Sequence, residues 1–475
     1  MLLHIAKKEF ISLLRMRSFQ FAAVLTAVLL LFALLISWHY YQTVAQELQT
    51  AQQLSRQQWE TQEAKNPHSA AHFGTFAFKP TQPLSLLDNG LDKHLGVSVF
   101  LEAHKQNTAE YKQIADQNDL ARFAELTPAF VLIYLFPLFI ILLSFNIFTT
   151  EKEQDTLRLL LSQGISYWQL CKGKIMGVWG VLALLLVPMM AVSIICLLAA
   201  GATSEDYLRY SLFVMALLIY YAVFVNISVG VSAKLQSSNV ALVGLLGFWV
   251  VATLLIPKLV ANYAKLIYPT PSAVEYQQQL KDDLAKGVDG HDPFAKKSEL
   301  FQDSVLKVHN VDSLHQLPFN YWGLVMQAGE EHETKVYARA VQRLYAIYHQ
   351  QLQLYALSGG LSPTILLKLL SIQLAKTDLV AYQNFTQQAE NYRIQLVREL
   401  NYDIKDNSKY NDWDYISKDK DFFKKNAKFS YKAPTMNNTW QHITPSLALL
   451  LLWFLGSIGG VFWSCYRKTS FYTKS

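Results

Sequence analysis

A chain of 475 residues would make about three soluble domains by length alone, yet only 16% of its residues are charged and 52% are apolar. Soluble proteins carry roughly 25% charged residues, and here the apolar ones gather in blocks between long Gln- and Lys-rich stretches, which argues against a soluble enzyme. The net charge of +6 comes without a dense Lys/Arg stripe, so no nucleic-acid partner is expected.

In chain order, residues 1–17 open with an amphipathic stretch, Leu2–Met16, in which Lys7, Lys8, Glu9 and Arg15 oppose an apolar face. A crossing helix needs about 20 apolar residues. Residues 18–39 supply the first such run, closed by Trp38, Tyr40 and Tyr41 as an interfacial belt. The run is too long for a signal-peptide core, and bulky residues stand where a small-residue cleavage site belongs. Residues 40–127 form a first polar domain. It begins as a helical continuation over Gln46–Lys65, passes a Pro/Gly-punctuated region, and ends in a helical stretch from about Val97 to Leu126.

Further spans follow at 128–148, 175–200, 208–230 and 240–256, the last ending at Pro257-Lys258; Pro137 predicts a kink in the second. Residues 257–443 form a second polar domain with helices expected at Ala273–Lys286, Pro293–Val308, Glu330–Ala356, Pro363–Ala375 and Asp378–Glu399. Asn401–Asn438 reads as irregular. The apolar stretch from Ser362 to Ile372 reads equally as a surface-lying amphipathic helix or a core helix. A sixth span covers 444–465, and 466–475 is a tail. The fold class is therefore an all-α polytopic membrane protein with about six transmembrane helices and two large, mainly helical extracytoplasmic domains.

Orientation follows from Lys and Arg near span ends. Lys7, Lys8, Arg15, Arg17, Lys152, Arg158, Lys172, Lys174, Lys234, Arg467, Lys468 and Lys474 all fall on one side. Both termini are then cytoplasmic, and both polar domains are outside. The three cysteines, Cys171, Cys196 and Cys465, lie in or beside apolar blocks, so the outer domains hold no disulfide. No ionisable residue is expected deep within a span, which argues against an ion-coupled carrier.

Motifs for chemistry are missing. Gly173-Lys174 is not a phosphate-binding loop, because Trp168 replaces its first Gly and Ile175 its hydroxyl residue. Leu357-Ser358-Gly359-Gly360 resembles the signature of ABC ATPases but reads as a helix C-cap and turn. His68 and His72, four apart, are spaced as metal ligands on one helix face, though Pro67 and Gly74 flank them. Glu330, Glu331 and Glu333 around His332 read as the acidic first turn of a long helix. Catalytic, cofactor-binding and metal-ligating residues are expected to be none.

The informative segment is 149–174, cytoplasmic and placed between two spans. Glu151-Lys152-Glu153-Gln154-Asp155-Thr156 is followed by the Leu-rich run Leu157–Leu161, then Ser162 and Gly173-Lys174. A short amphipathic helix here would dock into a partner's groove. This pattern resembles the ABC-2-type transporter permeases, with Asp155 in place of the usual Gly. Leu2–Met16 resembles that family's elbow helix. Leu317-Pro318-Phe319-Asn320, Gln327-Ala328-Gly329-Glu330, Leu361-Ser362-Pro363, Thr377-Asp378 and the Phe385–Arg393 stretch are similar to a bacterial branch with a domain of unknown function.

The resemblance implies a multi-pass permease of the inner membrane, coupled to a dimer of a separate ABC ATPase that would hold the ATP and Mg. It also implies a second permease copy, identical or related, besides the lipid bilayer. The ATPase-coupling residues would be Glu151, Glu153, Thr156, Leu157, Leu159, Leu160 and Leu161, and the chain itself would hydrolyse no ATP. Close helix packing is expected at Gly456 and Gly460, and at Gly173 and Gly177. The alternative is a non-transporting scaffold or mechanotransmitter whose outer domains bind a periplasmic or outer-membrane partner.

Overall fold

The computed structural model describes residues 1–109, 126–287, 296–412, 414–417 and 421–472, the last without the side chains of 466–472. An elbow helix, Leu2–Arg15, ends where Met16 turns to extended backbone, and the first span follows at once as a 44-residue helix, Arg17–Glu60. At 1.5 Å per residue this rod is about 66 Å long, roughly twice the hydrocarbon core of a bilayer. Its far half therefore stands clear of the membrane, as its Gln-rich composition anticipates. The remaining candidate spans are Pro128–Glu153, Tyr167–Ala199, Ser204–Lys234, Ser238–Ile267 and Met436–Cys465. The fourth is the most buried. Its Phe213, Tyr220, Tyr221 and Phe224 pack against Phe136, Phe139, Leu366 and Leu370 in the largest apolar core.

Two spans carry a π-helical turn just before a proline. Val131–Leu135 precedes Pro137, and Val250–Leu255 precedes Pro257. Proline cannot donate to the carbonyl four residues back, and a π turn absorbs the mismatch. In the second span the exposed carbonyls find side-chain donors. Tyr221 Oη reaches Leu132 O at 2.9 Å, Tyr220 Oη reaches Ile133 O at 2.8 Å, and Trp249 Nε1 reaches Tyr134 O at 3.0 Å. The fifth helix does not stop at Pro257 as the sequence suggested; the π turn lets it run on to Ile267. The sixth begins at Met436, with Pro445 inside it rather than at its start.

The polar parts of the chain pack together on the side away from the elbow. Trp59, Ala70, Ala71 and Ala103 share a core with Leu396, Val397, Leu400 and Phe423, and Ala77, Val99 and Leu101 share another with Tyr382, Phe385 and Ala389. Residues expected to be helical from Val97 instead form the strands β2 (Ser98–Glu102) and β3 (Lys105–Gln106), which join β1 (Thr75–Phe78) of the Pro/Gly-punctuated region in a small antiparallel sheet of order β1-β2-β3. Positions 110–125 of that expected helix lie outside the described residues.

The helix Pro67–Phe73 forms because of its flanking residues. Pro67 occupies the first turn, Asn66 Oδ1 accepts the His68 N–H at 2.9 Å, and Gly74 takes up positive φ beyond the end.

The long helix runs over Tyr321–Leu357, capped by Asn320, so Glu330 is not in a first turn. Glu330 is buried and paired at 3.0 Å with Arg393 of the helix Leu379–Asn407. Burial would lower the Arg393 pKa, but Glu390 and Glu330 hold it above its ordinary value. That second helix extends eight residues past Glu399 into the stretch read as irregular. Other body helices are Ala273–Leu284 and Lys296–His309, the expected start of the latter lying outside the described residues. Pro363–Leu374 is a core helix, not a surface one: Leu366, Leu367 and Leu370 are fully buried in the core they share with the spans.

Ion pairs fasten this body to the span bundle. Arg209 of the fourth span, fully buried, holds Pro434 O at 2.8 Å, Thr439 Oγ1 at 2.9 Å and Glu205 at 2.9 Å. Lys376 reaches Asp206 of the fourth span at 3.0 Å; within the body, Lys368 reaches both oxygens of Asp88 at 2.8 Å and so ties its two polar segments to each other.

Candidate functional site

The opposite end of the bundle is built on three glycines. A Cβ at Gly173 would lie 2.5 Å from Ile5 Cγ2, one at Gly177 2.7 Å from Glu9 Cβ, and one at Gly180 3.0 Å from Phe10. These positions are spaced by four and three along the third span, so their missing side chains cut one flat groove in which the elbow helix lies. The close packing expected at Gly173 and Gly177 is thus present, and the elbow fills it. Gly456 and Gly460 differ: among the described residues, nothing comes within 4 Å of a Cβ at either.

Glu9 belongs to the buried face of the elbow. It stands between Ile5 and Leu13 at helical spacing and is 6% exposed. Its partner is Lys174, whose Nζ lies 3.0 Å from Glu9 Oε2 and 2.9 Å from Glu151 Oε1. Lys8 adds a third contact, 3.2 Å from Glu151, from a more exposed position. Two lysines and two glutamates thus neutralise one another between the elbow, the end of the second span and the third span. Phe148 lies under the Lys174 ammonium at 5.2 Å. From sequence, Lys174 counts as an orientation signal and as part of the family-like Gly173-Lys174, and Glu9 falls on the polar face; the available signal for its burial is a glutamate midway between Ile5 and Leu13.

The next two charges act as helix caps. Lys152 Nζ donates to Ser232 O at 2.8 Å, Ala233 O at 2.7 Å and Leu235 O, satisfying carbonyls left open where the fourth span ends. Glu153 accepts the Ser238 N–H at 2.7 Å and the Ser238 Oγ–H at 2.9 Å, where the fifth span starts. Glu151, Lys152 and Glu153 therefore tie three different junctions. Of the two glutamates expected in coupling, Glu151 is buried and the exposed Glu153 already caps a helix.

Asp155 follows at φ +56, in the left-handed region, and leads into the short helix Thr156–Ser162. Thr156 Oγ1 donates to Glu151 O at 3.3 Å. The leucines of this helix do not share a face. Leu157 is buried in the bundle core, Leu160 and Leu161 are partly buried against it, and Leu159 is 62% exposed. Residues two apart on a helix point about 200° apart, so Leu157 and Leu159 cannot both meet one partner. What the segment presents outward is Leu159 with Arg158, Ser162 and Gln163 around it. Ser166 and Gln169 then form a capping box that starts the third span.

Compared with known proteins, residues 3–286 match the family described as ABC-2 family transporter protein, and residues 273–432 match a domain of unknown function, DUF3526. No curated protein matches the chain. The first match takes in the elbow, the segment 149–174 and five of the six spans; the second takes in the long body helices.

Proposed function

Because this chain belongs to the ABC-2 transporter family, we propose that it is the membrane-spanning permease subunit of an ATP-driven transporter, working with a separate ABC ATPase dimer. The observation that carries this reading is the short helix Thr156–Ser162, rigidly braced by Glu151, Lys152 and Glu153 yet offering Leu159 outward. An exposed leucine on a braced helix suits a partner's groove, as an amphipathic coupling element would.

In this reading the elbow end is cytoplasmic, the body is outside the inner membrane, and ATP and Mg sit on the ATPase alone. A cleft of about 580 Å³ between the fourth and sixth spans, lined by Asn226, Lys234, Trp453, Gly456 and Gly460, offers the membrane-facing space that an exporter of amphipathic molecules needs. A second copy of the chain would pack along the open stripe at Gly456 and Gly460. The decisive experiment is co-purification of the ATPase with Leu159→Asp. Burying a leucine is worth about 1.5–3 kcal/mol, so the variant should insert normally and lose most of the ATPase. Intact assembly and ATP-dependent function in that variant would sink the coupling role.

One feature supports a second reading, a transmitter that moves no substrate. Arg209 and Lys376 clamp the body to the spans, giving a stiff path from the elbow end to a periplasmic partner. Crosslinking that closes the cleft discriminates the two: a transmitter keeps its activity, and an exporter stops.

A further inference from the structure

Three histidines meet at one point of the body, from two separate segments of the chain. His68 and His72 lie one turn apart on the helix Pro67–Phe73, and His104 is the second residue of the two-residue turn joining β2 to β3. His72 Nε2 is 3.2 Å from His68 Nε2, and His104 Nε2 is 3.5 Å from the same atom. All three ligand atoms fall within 4.8 Å of one another. Tetrahedral nitrogen ligands at the usual zinc distance of ~2.05 Å stand about 3.3 Å apart. Two of the three edges match that spacing.

The far sides of the rings point the same way. His68 Nδ1 lies 3.1 Å from Asn401 Oδ1, while His104 Nδ1 lies 2.9 Å from Glu333 Oε2 and 3.2 Å from Glu330 Oε1. An acceptor at Nδ1 keeps the ring proton there and turns the Nε2 lone pair inward. Two ring nitrogens facing each other at 3.5 Å are reconciled either by a proton on one ring or by a cation shared between them. Metal-bound imidazoles are oriented by such carboxylate and amide partners.

The support continues one layer further out. Gln327 holds Asn401 at 3.2 Å, and Glu330 accepts the backbone N–H of His104 while pairing with Arg393. That N–H contact fixes His104 at φ +63, a conformation few non-glycine residues adopt. His68 is buried, His104 half-buried and His72 exposed, so the group opens to solvent on one side.

We propose that His68, His72 and His104 form a three-histidine site for a divalent transition cation, zinc being the first fit, with the exposed His72 at its solvent edge. Imidazole nitrogens suit zinc, copper, nickel and iron and exclude calcium and magnesium. A site through His104, Glu330 and Glu333 is less suited, since Glu330 is already committed to Arg393 and to the His104 amide. The bound ion would staple the histidine helix and the β2–β3 turn together, and through Asn401, Glu333 and Glu330 to the two long helices. The inference does not depend on the permease reading.

The test uses the full-length chain in detergent, purified on a tag without histidines, stripped with chelator and titrated with zinc alone. Metal counted after gel filtration should reach one zinc per chain, and cobalt in its place should give the intense visible bands of a tetrahedral ion. His72→Ala changes an exposed side chain and should fold; it should lower affinity by more than Glu333→Gln, for which about 10–100-fold is expected. Near-UV circular dichroism confirms the fold of each variant. Less than half an ion per chain at micromolar free zinc would overturn the proposal. So would an octahedral cobalt spectrum, or an affinity unchanged in both variants.

Discussion

Asp155 shows how one residue's backbone angle explains a sequence pattern. The resembling family carries Gly at this position, and here φ is +56, a region that Asp tolerates and branched residues do not. Asp155→Gly should therefore be neutral or stabilising, while Asp155→Val should cost about 1–2 kcal/mol and loosen the Thr156–Ser162 helix. Thermal unfolding in detergent, with protease sensitivity at Arg158, would check both. Lys174 carries a larger effect. Replacing it with Met leaves Glu9 and Glu151 buried with only the exposed Lys8 as counter-charge, and breaking a buried pair costs about 3–5 kcal/mol. Adding Glu151→Gln to that variant should recover part of the loss. Should the double variant unfold no later than the single one, the cluster is not an electrostatic unit.

Among the elements, the π turn of the second span makes the sharpest prediction. Tyr220 Oη serves the Ile133 carbonyl and also meets Thr364 Oγ1 at 3.0 Å, linking a span to the core helix Pro363–Leu374. Tyr220→Phe should destabilise by about 1–2 kcal/mol. Combined with Pro137→Ala it should cost less, because a regular helix then supplies its own donor; a double-mutant cycle reads the coupling. All six spans were legible in the sequence, because a run of apolar residues has one use in this composition. Helix ends were not. Pro257 read as a stop because the pattern does not show that a π turn and Ser362, which donates to Ala252 O, would rescue the backbone. The strands were missed although Val97–Leu101 is rich in β-branched and aromatic residues and follows Gly96, a strand signature. At the coupling segment the location was legible and the facing was not: five residues, Leu157 to Leu161, are too few for a periodicity to fix which leucine points outward.

For the whole molecule, orientation is the first thing to test. Ser69 and Ser304 are both exposed on the body. Cysteines there should label with an impermeant maleimide in intact cells, and protection of either until lysis would invert the proposed topology. The purified chain should hydrolyse no ATP; turnover by contaminant-free protein would contradict a motor on another subunit. The body's shared cores also bear on biosynthesis. Ala70, Ala71 and Ala103 pack on Leu396, Val397 and Leu400, so the ribosome must add nearly 300 residues, with four spans among them, before the early segment meets its partner. At 5–20 residues per second that wait is about 15–60 s. During it the early segment has its apolar side open to chaperones and proteases, and a nascent chain arrested after Ile267 should be cleaved within residues 60–109 while the finished protein resists.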